Sequence, residues 1–513
     1  MAHLALGCSG SDADEPVQVC ETAGDCPGAS VVSTPGDGEP EGRMPVAGSE
    51  APAGVADSDD GPPEMPPGED GPLEVGEDGP PAVTDGPGAV VTEPDDESAP
   101  FWDPNELRTY EIEVAPEDLA LIDGDPAAEQ YVPASLTYEG EHYPNVGLRY
   151  KGSIGAFIGC TTGGFGAMGF SGGAKTCPKL SMKVSFNWAE PGGRFHGLKK
   201  LQFHSMNSDD SMMRDRLAYG LFREMGIAAP RAVHARLVIN GELEGLFVLI
   251  EQIDSRFTRA HFTDGGDGNV YKEIWPKWTD PGAYLPPALK TNEDDVDVST
   301  ERVARFAAEL EAAPDPAAVA ALSASWMDND YVTRFIAVDR AIQHDDGMFH
   351  WYCGTGFEIG NNPDTCSNHN FYMYEGDHWD QLWLIPWDLD LTLGNAPAMV
   401  IIQQPWNQLS PECDSEQAFP GFGTMAPSCD KLTRGWAELG DAYQAALAEL
   451  VAGPMSVETI NAKLDAWTAQ IAPVVEEAAA AGQGPQPAQW EQALGGLRSW
   501  IDQRRTTIHN GGL

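Results

Sequence analysis

The chain has 513 residues and a formal net charge of −50, from 80 acidic against 30 basic side chains. So acidic a chain excludes a protein that grips nucleic acid by its phosphates. At 42% hydrophobic content it still has the apolar mass for one large core or two.

Much of the charge lies early. Residues up to about Ser98 are built from Gly, Pro, Asp, Glu, Ala and Val, with the near-repeats "EDGP" at Glu69 and Glu77 and "TDGP" at Thr84, and with Arg43 as the sole Lys or Arg. Such a segment buries too little apolar surface to offset the entropy of ordering, so residues 9–100 read as a disordered acidic linker. Ahead of it, "HLALGCSGSDADE" sets a short apolar run, a Gly and Cys8 before a Ser/Asp-rich tether. This reads as the remnant, over residues 1–8, of a bacterial lipoprotein signal, with the chain held to a membrane only through a lipid on Cys8. No later stretch approaches the roughly 18 to 20 apolar residues of a membrane span. Eight further cysteines fall into close pairs: Cys20 and Cys26, Cys160 and Cys177, Cys353 and Cys366, Cys413 and Cys429. None has the spacing of a zinc site, so local disulfides in an extracytoplasmic, oxidising setting are expected.

The folded domain is expected over 101–513. "RTYEIEVAPEDLALI" predicts a strand leading into a helix, and "YVPASLTYEGEHYPNVGLRYKGS" two strands about a Gly turn. After a Gly-rich insertion, "KLSMKVSFNW" alternates again, with Lys179, Ser181, Lys183 and Ser185 on one face and Leu180, Met182, Val184 and Phe186 on the other. "SDDSMMRDRLAYGLFREMGI" predicts a helix that ends at Gly226 and packs through Met213, Leu217, Leu221 and Met225. "HARLVINGELEGLFVLIEQID" is a hairpin turned by Asn240 and its Gly, and "GNVYKE" another short strand. "DNDYVTRFIAVDRAI" carries one apolar stripe of Tyr331, Phe335, Val338 and Ile342, and the chain from about Trp436 is helix-rich. The order is a strand-rich half with one internal helix, then a helical half.

Between the halves lie an acidic turn "HDDG", an Asn in "HNFYMY" and the run "LWLIPWDLDLTLGN". Two carboxylates and an amide oxygen delivered from neighbouring strand ends form a hard ligand set, suited to Mg²⁺ or Mn²⁺ carrying a phosphate-bearing substrate. With lysines on an upstream strand, the constellation points to phosphoryl transfer. Blander readings stand beside this one. Asp388 and Asp390 can cap a turn or hold a structural Ca²⁺, Lys179 and Lys183 can be a solvated face, and Arg214 and Arg216 ordinary helix-surface charges. "SNHNF" hints at an HNH nuclease or zinc site, which the lack of a second histidine cluster and the acidic surface oppose.

In this order, "RYKGS", "KLSMKVSF", "FHGLKKLQFHSMNSDDSMMRDRLAYGLFREMGI", "VINGELEGLFVLIEQID", "GNVYK", "HNFYMY" and "IPWDLDLTLG" resemble the spore-coat protein H (CotH) kinase-like family, from about Leu107 to Gly394. The resemblance implies an α+β, atypical two-lobed protein-kinase-like fold that transfers phosphate from ATP to Ser or Thr of secreted proteins. It implies Asp388 as metal ligand, favoured over Asp390, with Asn370 on the metal side. Asp346 falls at the catalytic position by its following Gly347, with Asp345 the spare. Lys183 matches the phosphate-binding lysine, with Lys179 the other candidate; Arg149 and Lys151 fit the nucleotide-covering turn, and Glu251 lies where a kinase hinge meets the nucleotide. The alternative is a catalytically inactive surface binding or adhesion module, to which the Trp-rich stretch Trp351, Trp379, Trp383 and Trp387 would belong.

Overall fold

The computed structural model describes residues 96–513 apart from 153, 167–168, 287, 354–365, 377–380, 398–399, 403–404, 409–412, 414–415 and 420–421. The lipoprotein-like start with Cys8, the pair Cys20 and Cys26, most of the acidic linker, and Trp379 lie outside the described residues.

Packing begins earlier than the Phe101 expected from composition. Asp96 bonds Arg231 at 2.8 Å and Arg256 at 2.6 Å, and a 3₁₀ turn over Ala99–Trp102 buries Phe101 and Trp102. Strands β1 (Arg108–Val114), β2 (Val132–Tyr138) and β3 (Glu141–Tyr150) follow, with helix α1 (Pro116–Gly124) after the first. A short helix α2 (Ile154–Phe157) and a hairpin of β4 (Gly164–Gly166) and β5 (Gly169–Ser171) form the Gly-rich insertion, stapled by a Cys160–Cys177 disulfide. Then come β6 (Met182–Ser185), β7 (Lys200–His204), α3 (Arg214–Glu224), β8 (Ala232–Ile239) and β9 (Glu242–Ile250).

Seven of these strands close into a barrel in the order β1-β2-β3-β6-β7-β9-β8, shut by the parallel pairing of β1 with β8 while the other pairs run antiparallel. The period of two sends Ile112, Leu136, Leu148, Met182, Val184, Phe203, Leu237 and Leu249 into its interior. The hairpin turn between β8 and β9 uses Asn240 at φ 52° and Gly241 at φ 81°, which suit an Asn-Gly pair. On the opposite face of β9, Leu246, Val248 and Ile250 join a second, larger core with Leu217 and Leu221 of α3.

That second core holds the rest of the described chain: α4 (Ser255–His261), β10 (Asn269–Lys272), α5 (Glu301–Ala312), α6 (Pro316–Trp326), α7 (Asn329–Ala341), β11 (Trp351–Cys353), β12 (Phe371–Glu375), β13 (Leu382–Pro386), β14 (Glu416–Phe419), β15 (Phe422–Met425), α8 (Lys431–Trp436), α9 (Gly440–Ala452), α10 (Val457–Ala481) and α11 (Pro487–His509). The fold is mixed α+β, but strands recur after residue 260, so the two halves are less segregated than the periodicity suggests. β10, β12 and β13 make a three-stranded antiparallel sheet backed by α7, whose Tyr331 hydroxyl donates to the Leu384 carbonyl at 2.6 Å. Phe335 of α7 in turn meets Phe222 of α3, with ring centroids 5.1 Å apart. Helix α3 therefore touches the barrel on one side and α7 on the other. Trp351, Trp383 and Trp387 are buried in this core. Disulfides Cys353–Cys366 and Cys413–Cys429 pair as the spacing predicted.

Candidate active site

One edge of the three-stranded sheet gathers the chemistry. β10 ends at Lys272, β12 starts at Phe371 and β13 ends at Pro386, and the register sets Lys272 opposite Tyr372 and Phe371 opposite Pro386. The residues just past these ends, Glu273, Asn370 and Asp388, adopt φ values of 53°, 60° and 55°. Left-handed backbone is tolerated by Asn and Asp but strained for Glu, and strain of this kind gathers where side chains must be aimed. The sheet buries Leu382–Pro386 and Trp387, and the tight turn swings Asp388 and Asp390 out at the sheet's end.

Asp346 lies in the turn after α7. Tyr352 donates its hydroxyl to Oδ1, His369 Nε2 lies 3.3 Å from the same oxygen, and Asn370 Nδ2 donates to the Asp346 carbonyl at 2.8 Å and reaches Oδ2 at 3.3 Å. Burial works against its charge, but His369 and Tyr352 outweigh burial and hold the carboxyl below its ordinary value. Asp345, next in sequence, points the other way. It bonds Arg340 at 3.1 Å and Gln343 at 2.9 Å inside a buried network in which Arg340 also holds Asp339, and Asp339 holds His344 at 3.0 Å. Arg504 of α11 donates to the Ala341 carbonyl at 3.1 Å, so the closing helix braces the turn that carries Asp346.

The acids at the sheet edge crowd one another. Burial, Asp388 and Asp346 push the Asp390 carboxyl up to about 8. Its Oδ2 lies 3.5 Å from the Ser208 hydroxyl. Two lysines oppose this charge. Lys151, just after β3, lies 2.7 Å from His204 Nε2 and 5.3 Å from the Trp387 ring centroid; burial pushes it down to about 8, while Asp388 opposes the fall. His204 is held well below its usual value by burial, Lys151 and Lys183, so it is neutral and accepts from Lys151. Lys272 loses by burial, but Tyr372, Glu273 and Asp388 outweigh that and raise it; sequence reasoning passed over it, although it closes the "GNVYK" stretch.

The other residues singled out in the sequence each have partners of their own. Lys179 precedes the strand, donates to the Leu246 carbonyl and sits 4.8 Å from the Phe247 ring centroid; burial pushes it down to about 7 against the pull of Glu244. Lys183, on β6 opposite Arg149 of β3, is near enough to help depress His204. Arg149 forms an ion pair with Glu129 and stacks 5.1 Å over Tyr131. Glu251 is fully engaged: Arg231 reaches it at 2.5 Å, the Arg231 backbone N–H donates at 3.0 Å and His261 lies at 3.0 Å. Burial would raise its carboxyl, but Arg231 and His261 hold it well below the ordinary range.

The edge suits a hard divalent cation. Asp388 and Asp390 supply carboxylates, and because the Asn370 amide nitrogen is turned to Asp346, its oxygen is the donor atom left for a cation. Among the described residues no three His, Cys, Asp or Glu side chains form a ready-made cage. A magnesium-type site uses one or two carboxylates completed by water and phosphate oxygens.

The model of the family described as CotH kinase protein matches residues 148–508. Inner spore coat protein H of Bacillus subtilis (strain 168) is 22% identical to this chain over 306 residues, covering 56% of the chain and 69% of that protein. The inner spore coat protein H-like protein of the same organism is 34% identical over 89 residues, which is 17% of this chain and 28% of that protein.

Proposed function

Because the chain belongs to the CotH kinase protein family, we propose that it is an extracytoplasmic protein kinase of atypical, two-lobed kinase-like fold, transferring the γ-phosphate of ATP to Ser or Thr of protein substrates. The observation that carries this reading is the meeting of Asp346, Asn370, Asp388 and Lys151 at one sheet edge, although they come from four separate stretches of chain. Asp388 and Asn370, with Asp390 beside them, would hold Mg²⁺ or Mn²⁺. Such an ion, when bound, neutralises charge on the phosphate oxygens and orients them.

The protein's own residues do the rest. Asp346, kept ionised by Tyr352 and His369, accepts a hydrogen bond from the acceptor hydroxyl and takes its proton as the oxygen attacks phosphorus. With its carboxyl held low it is a weak base, and its main contribution is orientation, which suffices for a loose phosphoryl-transfer transition state. Lys151, beside Trp387 and Asp388, would neutralise charge on the phosphates, with Lys183 near His204 as the second lysine. Three disulfides support an oxidising compartment, and lipidation at Cys8 would hold the chain to a membrane surface; no helix among the described residues is long and apolar enough to cross a membrane.

Transfer of labelled γ-phosphate to a Ser-rich protein by residues 96–513, with Mg²⁺ or Mn²⁺, tests the proposal. Label is expected from the wild type and at least about 100-fold less from Asp388→Ala. Equal transfer by an Asp388→Ala protein of unchanged fold sinks the assignment. No transfer together with no thermal stabilisation by nucleotide points instead to an inactive binding module.

A further inference from the structure

His204, the last residue of β7, is only 6% exposed, and its Nε2 lies 2.7 Å from the Lys151 ammonium. An ammonium has three donors and no acceptor, so this nitrogen accepts and the ring carries its proton on Nδ1. The ring is neutral in that form. Lys151 is therefore held by a group that fixes its direction and leaves its charge uncancelled, where a carboxylate in the same place would quench it.

Several elements build this contact. Lys151 and His204 end strands that are not neighbours, β3 and β7, with β6 between them. Ser181, just ahead of β6, ties the two ends together: its carbonyl accepts the Lys151 backbone N–H at 2.9 Å, and its hydroxyl accepts the Ser205 N–H at 3.0 Å. The next N–H, that of Gly152, donates to Glu129 Oε1 at 2.9 Å, so the backbone that carries the lysine is fixed as well. Both side chains then meet one indole. His204 stands edge-on to the Trp387 ring with centroids 5.9 Å apart, and the Lys151 ammonium lies 5.3 Å from the centroid of the same ring. Because Trp387 immediately precedes Asp388, the histidine and the lysine are placed against the turn that carries the acidic pair.

The plainer account is that His204 merely satisfies a buried lysine. It leaves the lysine's remaining donors unexplained: with one N–H given to His204, the ammonium has two more to give. Resting on the phosphoryl-transfer reading of this site, we propose that His204 is a positioning residue for ATP, setting the Lys151 ammonium against Trp387 so that its other N–H groups are presented to the nucleotide phosphates. It touches neither nucleotide nor acceptor and acts through Lys151 alone. A donor held in place before the ligand arrives loses less freedom on binding, which is how such a residue strengthens affinity.

The test is the affinity of the full chain for ATP with Mg²⁺, measured by titration calorimetry, in a double-mutant cycle of His204→Phe and Lys151→Met. His204→Phe keeps a ring against Trp387 but has no acceptor, and it is expected to weaken ATP binding on the order of tenfold, the size of one hydrogen bond to a charged group. His204→Gln, whose amide oxygen can take the place of Nε2, is expected to recover most of that loss. In Lys151→Met the same His204→Phe change is expected to have no further effect, because the group it acts through has gone. Equal losses from His204→Phe with and without Lys151 mark a general packing role and overturn the proposal. So does wild-type affinity in His204→Phe, or a His204→Gln protein that binds no better than His204→Phe. With phosphate transfer followed beside binding, a chain that shows this coupling but transfers none refutes the kinase reading and leaves the inference standing. Transfer by a chain whose cycle is additive does the reverse, and a wild type that binds no ATP refutes both.

Discussion

Glu251 separates two accounts of one residue, a kinase-hinge contact with nucleotide or a buried structural anion. The structure makes it the centre of three interactions, with the Arg231 guanidinium at 2.5 Å, the Arg231 N–H at 3.0 Å and His261 at 3.0 Å. Replacing one member of a buried pair typically costs about 3 to 5 kcal/mol, because the other charge is left uncompensated. In Glu251→Gln, Arg231 keeps Asp96 at 2.8 Å, so the lower end applies, about 3 kcal/mol or roughly two orders of magnitude in the folded-to-unfolded ratio. With a urea slope of about 3 kcal/mol per molar, the unfolding midpoint followed by tryptophan fluorescence is expected to fall by about 1 M, with nucleotide affinity unchanged. An unmoved midpoint joined to weaker nucleotide binding would show that the carboxylate serves the ligand, and would refute the reasoning.

The two lysines can be ranked. Lys151→Met is expected to lower phosphate transfer by about 100-fold and Lys183→Met by less, since Lys151 is the one whose charge meets Asp388; the reverse order in kcat/KM would overturn the placement. Gly347→Ala puts a Cβ 2.4 Å from His344 Nδ1, in the turn that carries Asp346, and the forced shift is expected to cost about 1 to 3 kcal/mol and reduce transfer. Unchanged melting and rate would show that the turn yields freely. Acid sensitivity follows from Asp96 and Glu251. Burial raises both carboxyls, but Arg231 and their other partners outweigh it, lowering Asp96 to about 2 and Glu251 well below its usual value. Depressed folded values mean that their stabilisation is present above the unfolded value near 4 and is lost as the pH falls from there toward about 2. The melting temperature is expected to drop over that window in the wild type and much less in Arg231→Met; parallel profiles would assign the acid loss to other groups.

Local chemistry was enough to read much of this chain from its residues. The alternation of "KLSMKVSF" placed Met182 and Val184 inside and Lys183 outside, the four-residue spacing of Met213, Leu217, Leu221 and Met225 placed α3, and Asn240 with Gly241 set the hairpin, because side-chain period and turn geometry are properties of a few adjacent residues. The acidic turn and the "DLD" run could be recognised for a related reason: carboxylates following a buried strand stand out against apolar neighbours. Contacts between distant segments had no such signal. Closure of the barrel by the parallel pairing of β1 with β8, the choice of Lys151 over Lys179 to face Asp388, and the capture of Glu251 by Arg231 and His261 each depend on which elements pack together. Lys179 and Lys183 look equivalent in an alternating run, yet the strand starts only at Met182, and the backbone before it turns Lys179 to the Leu246 carbonyl. A side chain's direction is set by its own strand or helix, but the group it meets is set by long-range burial of apolar surface, which has no period along the chain.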